Sequence, residues 1–294
     1  MIHFIVNPVS GNGKTKRYIP LIEKLLKEKS IEYQFLMTEY KGHAVKIAYS
    51  LRREPKSHLV IAMGGDGTLN EVVNGLYPSD VRLGYIPAGS GNDFAREMGI
   101  PSDPVQALLK IIEGPPKPID IGKINERYFV NAAGIGFDGK VIQIANRSPF
   151  KHKFGKFIYI IAVIQALYGY QPTQLEMVVN GKKYSFKGVW LIAVSNGRYF
   201  GGGMKISPNA KNNDGLLDVC VINEMTPLQL IRYFPTIFSG KHIDLPYVKM
   251  FRGSKIDIFS ESVLPIQIDG EISNQDEEKY TLSFDVMTNK QVIL

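Results

Sequence analysis

A change of hydrophobic period at a proline cluster limits the folds open to this chain. Before Gly114-Pro115-Pro116-Lys117-Pro118, short apolar runs alternate with stretches of helical spacing. Ile2–Val6, Tyr33–Met37, Leu59–Met63 and Leu83–Ile86 read as strands. Between and after them come helical patterns: Leu21, Ile22, Leu25 and Leu26; His43–Leu51; Leu69–Leu76; Phe94–Met98; and Val105–Ile112. The start of the first helix stays open, because Pro20 suits only a first turn. Such alternation predicts a parallel sheet with helices on both faces. Beyond the cluster, Tyr128–Ala133, Gln174–Val179, Tyr184–Ser195, Leu216–Ile222, Lys249–Ser260, Pro265–Ile268 and Tyr280–Met287 read as strands. Asn180-Gly181 is a hairpin signal. Two helices are expected near Phe157–Leu167 and Leu228–Phe238. The reading is an α/β N-terminal domain over residues 1–124 and a mostly antiparallel β C-terminal domain over 125–284.

A length of 294 residues suits two domains. The single cysteine, Cys220, excludes an intramolecular disulfide framework and a multi-cysteine metal site. The opening MIHFIVNP has no basic region before its apolar residues, so no signal peptide is expected. The longest apolar stretch, Phe157–Tyr170, falls short of the roughly 20 residues a membrane span needs. A cytoplasmic protein is the expectation. A formal charge of +7 points to an anionic partner. Nucleic acid is not expected, because no recognition motif for it is present.

Four glycine-rich segments follow predicted strands. Asn7-Pro8-Val9-Ser10-Gly11-Asn12-Gly13-Lys14-Thr15 nearly matches the P-loop but has Pro8 where its first glycine belongs, and Lys16 breaks the Rossmann fingerprint. An ordinary turn or a ligand loop at a strand's carboxyl end both remain open there. Gly134-Ile135-Gly136-Phe137-Asp138-Gly139 does match G-x-G-x-x-G. No acidic residue follows before Leu175 to hold a ribose, and the segment opens the β-rich half, so dinucleotide binding is not favoured.

Met63-Gly64-Gly65-Asp66-Gly67-Thr68-Leu69-Asn70-Glu71 says more. A plain turn needs one glycine; three around an aspartate let backbone approach a polyphosphate, with a helix N-terminus behind. Asp66 would hold Mg²⁺ there and Thr68 would offer a hydroxyl. Pro87-Ala88-Gly89-Ser90-Gly91-Asn92-Asp93-Phe94-Ala95-Arg96 repeats this chemistry after the next strand. Asn92 or Asp93 would cap the following helix, contact a ligand, or do both.

These motifs, in this order, resemble the diacylglycerol kinase catalytic-domain family. Its bacterial members are soluble lipid kinases, sphingosine and ceramide kinases are relatives, and NAD kinases are more distant ones. The resemblance continues through Ser195-Asn196, Gly201-Gly202-Gly203, Pro208, Asp214-Gly215-Leu216-Leu217-Asp218 and Asp269-Gly270-Glu271. It implies two domains with ATP and Mg²⁺ in the cleft between them, and segment 285–294 returning to the first domain. ATP-contacting positions would be Asn7, Pro8, Val9, Ser10, Gly11, Thr38, Gly64, Gly65, Asp66, Gly67, Thr68, Leu69, Asn70 and Ser90. Asp269-Gly270-Glu271 would be the catalytic turn, with Glu271 taking the proton of the lipid hydroxyl. Lys211, Asp214 and Leu216 would hold a structural Mg²⁺.

The acid-free stretch from Gly139 to Leu175 carries Lys140, Arg147, Lys151, Lys153 and Lys156 ahead of the apolar Phe157–Leu167 run. Docking on an anionic membrane and a buried helix behind a solvated basic loop remain equal alternatives. The expectation is therefore a cytoplasmic, peripherally membrane-associated kinase, with diacylglycerol as its leading acceptor. Other lipids, a soluble acceptor such as NAD, and a nucleotide-binding membrane adaptor without catalysis are the rivals. Pairing of two copies is left open.

Overall fold

The computed structural model describes residues 1–54, 59–147, 157–272 and 281–293. Strands β1 (Ile2–Val6) and β3 (Leu59–Gly64) are buried along their whole length, as parallel strands covered on both faces are. They form the centre of four parallel strands in the order β2 (Tyr33–Met37), β1, β3, β4 (Arg82–Pro87). Helices α1 (Ser10–Glu28), α2 (His43–Leu51), α3 (Asp66–Leu76), α4 (Asp93–Met98) and α5 (Pro104–Glu113) follow in turn. Ile22, Leu26, Ala48, Val72 and Leu108 from these helices share one core with the strands. The direction of strand succession reverses between β1 and β3, which opens a crevice at their carboxyl ends.

The rest of the chain is mainly antiparallel. Its strands are β5 (Pro116–Ile124), β6 (Arg127–Phe129), β7 (Ala132–Gly136), β8 (Thr173–Val179), β9 (Lys182–Ser195) and β10 (Leu217–Asn223), then β11 (Val248–Gly253), β12 (Lys255–Ser260), β13 (Ile266–Ile268), β14 (Glu271–Ile272) and β15 (Thr281–Ile293). Side chains of β10 alternate between two cores. Leu217, Val219 and Val221 join Ile192, Ile256 and Phe284, whereas Cys220 and Ile222 join Trp190 on the opposite face. Helix α6 (Phe137–Arg147) follows β7. Helices α7 (Phe157–Gly169), α8 (Pro227–Tyr233) and α9 (Thr236–Ser239) cover the Trp190 face through Val163, Leu230 and Ile237.

Strand β15 connects the two halves. Its beginning pairs with β12 at Phe284↔Ile256, and its end adds to the parallel sheet at Val292↔Leu83. It runs beside β5 for most of its length, as far as Ile293↔Pro116.

Several expectations shift. The proline cluster, where the hydrophobic period changes, begins strand β5. Pro116 and Pro118 are two apart, so their missing N–H groups fall on one side, where β6 does not yet pair. Helix α6 stands where only a glycine-rich turn was foreseen, because Gly139 obscures its first turn. The apolar run Lys249–Ser260 is two strands broken at Ser254, and Tyr128–Ala133 is likewise two. Pro235 divides the expected Leu228–Phe238 helix. Pro20 sits inside α1, whose start bends through Gly11, Asn12 and Gly13 in the left-handed region. The Asn180-Gly181 turn, at φ +47° and +83°, joins β8 to β9 as expected.

Candidate active site

Three loops converge at the crevice. The ladder itself brings them together, since Asn7 N donates to the Met63 carbonyl at 3.0 Å and Ala88 N to the Gly64 carbonyl at 2.7 Å. Gly11 has φ +58°, and a Cβ there would run into the Ala88 carbonyl. A Cβ on Gly89 would lie 2.6 Å from the Gly65 Cα, so these two loops touch backbone to backbone. Asn7 Nδ2 donates to Thr68 Oγ1 at 3.1 Å, and Asn7 Oδ1 accepts the Val9 N–H at 3.2 Å. Ser90 is exposed at the rim. The first N–H groups of α3 have no partner within the helix and carry its positive end. Small residues, converging amides and a helix N-terminus fit a polyphosphate.

The crevice also gathers carboxylates. Asp66 spans to the neighbouring loop, accepting the Asp93 N–H at 3.2 Å and the Phe94 N–H at 3.1 Å. Burial holds its carboxyl above the usual range, partly offset by these amides. Asp93 accepts the Gly202 N–H at 2.7 Å and pairs with Arg96 at 2.6 Å. Burial raises it as well, and the Asp66 charge adds to the effect. Asn92 braces this loop by accepting the Gly89 N–H and donating to the Gly89 carbonyl, each at 3.0 Å. A carboxylate held by neutral amides beside a polyphosphate cradle, as Asp66 is, is the kind of hard oxygen donor that Mg²⁺ accepts.

Across the crevice stands the turn between β13 and β14. Asp269 (φ +47°) and Gly270 (φ +84°) occupy its two central positions, and Ile268 pairs with Glu271. The Asp269 carboxylate is buried and accepts four N–H groups: Asn70 Nδ2 at 2.8 Å and the amides of Val130, Asn131 and Ala132 at 2.9, 2.9 and 3.1 Å. Burial outweighs these donors and pushes it up to about 6. Asp269 therefore fixes the turn to α3 and to the chain entering β7. Glu271 emerges on the other side. A Cβ on Gly67 would sit 2.6 Å from Glu271 Oε1, so this carboxylate lies against the first turn of α3. Lys41 Nζ reaches Glu271 Oε2 at 2.8 Å.

Residues 1–124 match the family described as diacylglycerol kinase catalytic domain, and 131–282 match the YegS C-terminal NAD kinase beta sandwich-like domain. A diacylglycerol kinase of Bacillus subtilis is 33% identical over 91% of this chain and 88% of its own length. One from Mycobacterium tuberculosis is 32% identical, covering 86% and 83% respectively. The crystal structure of a diacylglycerol kinase from Bacillus anthracis superposes with a TM-score of 0.79 at 27% identity, covering 99% of this chain and 96% of that one. The chain belongs to the diacylglycerol kinase family. It is a lipid kinase, and a nucleotide is one of its substrates.

Within this kinase, the other sequence-derived positions fall in different places. Leu69 is buried in the core and its N–H is spent on the Gly65 carbonyl, so it packs the loop. Asn70 turns from the crevice to Asp269. Thr38 follows β2, its N–H donating to the Val6 carbonyl at 2.8 Å. In the Lys211–Leu216 loop, Asp214 pairs with Arg252 and accepts the Leu216 N–H at 3.2 Å. Asp214 is thus tied by a guanidinium on one oxygen and by an amide on the other. Asp120 ties this loop to β5 by accepting the Gly215 N–H at 2.7 Å.

Lys151, Lys153 and Lys156 lie outside the described residues, as does the Arg147 side chain. Helix α7 buries Ala162 and Ala166 but exposes Ile161, Ile164 and Tyr168. Among the described residues, no helix is long and apolar enough to cross a membrane. Lys41 was missed from sequence, and the Gly201-Gly202-Gly203 motif did not disclose that the Gly202 amide meets Asp93. Lys41 belongs to no motif, and a backbone amide leaves no trace in composition.

Proposed function

We propose that this kinase transfers the γ-phosphate of ATP to the free hydroxyl of diacylglycerol, with Mg²⁺, at an anionic membrane surface. The placement of Glu271 carries the proposal: its carboxylate stands against the first turn of α3, beside the polyphosphate cradle. ATP phosphates would lie across the amides of the Gly65–Thr68 and Gly89–Asp93 loops, with Asn7 through Gly11 closing the third side. Asp66 would hold Mg²⁺, which when bound neutralises charge on the phosphoryl oxygens, while Asp93, paired with Arg96, fixes the neighbouring loop. The attacking hydroxyl loses its proton as the bond to phosphorus forms, and Glu271 would accept it. Lys41 steadies that carboxylate without burying it. Asp269 works one step back, by fixing the turn. Exposed Leu228 and Ile231 on α8, Phe234 just after it and Phe238 on α9, with Ile161 and Ile164 on α7, support work at a lipid surface.

Labelled Mg-ATP against mixed micelles tests this directly. Glu271→Gln should lower phosphatidic acid formation about 100-fold or more while leaving nucleotide affinity intact. Near-full turnover of that variant would sink the assignment. A panel with monoacylglycerol, ceramide, sphingosine, undecaprenol, phosphatidylglycerol and NAD tests the acceptor, and preference for any of these over diacylglycerol would displace it.

A further inference from the structure

Behind the catalytic turn lies a second carboxylate that the proposed chemistry does not use. Asp138 opens α6 and faces Gln267 of β13, whose side chain is fully buried. Gln267 Nε2 donates to Asp138 Oδ2 at 3.2 Å, and Gln267 Oε1 accepts the Gly270 N–H at 2.7 Å. Gly270 sits between Asp269 and Glu271. A carboxamide has a donor end and an acceptor end, and its orientation is set by its neighbours. If Gln267 flipped, its NH₂ would face the Gly270 N–H, donor against donor. An acceptor at the Asp138 position forbids that flip.

We infer that Asp138 is a positioning residue for phosphoryl transfer: it orients the Gln267 amide, and that amide holds the turn that presents Glu271. The surroundings fit a role beyond packing. Asp138 Oδ1 is buried and makes no hydrogen bond among the described residues. A half-satisfied buried carboxylate costs stability. Burial pushes it up to about 7, although the Gly139 N–H and the Gln267 amide favour its charged form. Close packing confines it further, since a Cβ on Gly139 would lie 2.6 Å from the Pro265 carbonyl at the edge of β13. The Asp269 clamp anchors one side of the turn and the Asp138–Gln267 chain the other, so Glu271 is held from both.

The test is steady-state kinetics on the full-length protein with mixed micelles of diacylglycerol. Asp138→Leu and Gln267→Met should each lower kcat about tenfold or more and leave the KM for ATP within about twofold. Because both break one chain, the double variant should be no slower than the slower single one. Asp138→Asn keeps an acceptor and should recover most of kcat. Additive losses in the double variant, an Asn variant as slow as Leu, or full kcat in Asp138→Leu would each overturn the inference. If Asp138→Leu does not fold, Gln267→Met and Asp138→Asn carry the same test. The inference rests on Glu271 as proton acceptor, so Glu271→Gln is assayed alongside. A fast Glu271→Gln defeats the proposed function, whereas a slow one beside a fast Asp138→Leu defeats only the positioning chain.

Discussion

Asp66 in the crevice and Asp214 in the Lys211–Leu216 loop are both loop aspartates beside a domain junction, yet they are held differently. Asp66 is gripped by the Asp93 and Phe94 amides, Asp214 by the Arg252 guanidinium. An amide fixes a carboxylate and leaves its charge in place; a guanidinium fixes it and cancels the charge. The first arrangement keeps a site for a cation, and the second fastens a loop. Asp138 makes a third case, with one oxygen bonded to a neutral amide and the other to nothing described.

The sharpest way to break this contrast is Asp66→Asn. It keeps the shape and removes the charge, and turnover should fall about 100-fold or more, with a higher Mg²⁺ requirement. A titration of rate against Mg²⁺ checks it; a variant within threefold of the parent would mean the Asp66 charge does no metal work.

A smaller effect separates Asp138 from both. Its folded pKa of about 7 lies above the ordinary 3.8, so between those values the folded state binds more protons than the unfolded chain. Stability from this group therefore falls as pH rises through that window, and the whole penalty is present above it. Asp138→Asn should gain about 1–3 kcal/mol near pH 8 and little near pH 4. Urea unfolding at the two pH values decides, and an equal change at both would refute it.

The smallest effect is expected at Asp214→Asn. Its pair with Arg252 is partly exposed, so the loss should be about 1 kcal/mol or less. Melting temperature should not depend on Mg²⁺ in either protein. If Mg²⁺ stabilised the parent and failed to stabilise the variant, the loop would be a metal site and the contrast would collapse.

The parallel half was legible because strands covered on both faces appear as unbroken apolar runs, and each helix carries its own period. β1 and β2 match their expected limits to the residue. The antiparallel half was harder. Only the single pair Gly253-Ser254 divides β11 from β12 inside one apolar run, and α6 hides behind glycines whose purpose is close packing. The crevice could be located because its loops are built from glycines with a physical task. Glu271 needed a family resemblance, since an Asp-Gly pair alone says only hairpin. Lys41, Gln267 and the amides on Asp66 and Asp93 are partners brought from distant segments, which no local pattern encodes.

Strand β5 is synthesised before almost all of the β-rich half, and β15, its main neighbour, after it. Until β15 emerges from the ribosome, β5 and the outer edge of β4 present unpaired backbone groups, an edge that invites pairing with other chains. The nascent kinase must keep that edge shielded throughout elongation. A stalled or clipped product lacking β15 should therefore be an aggregation hazard, even though every residue of the phosphate cradle is already present.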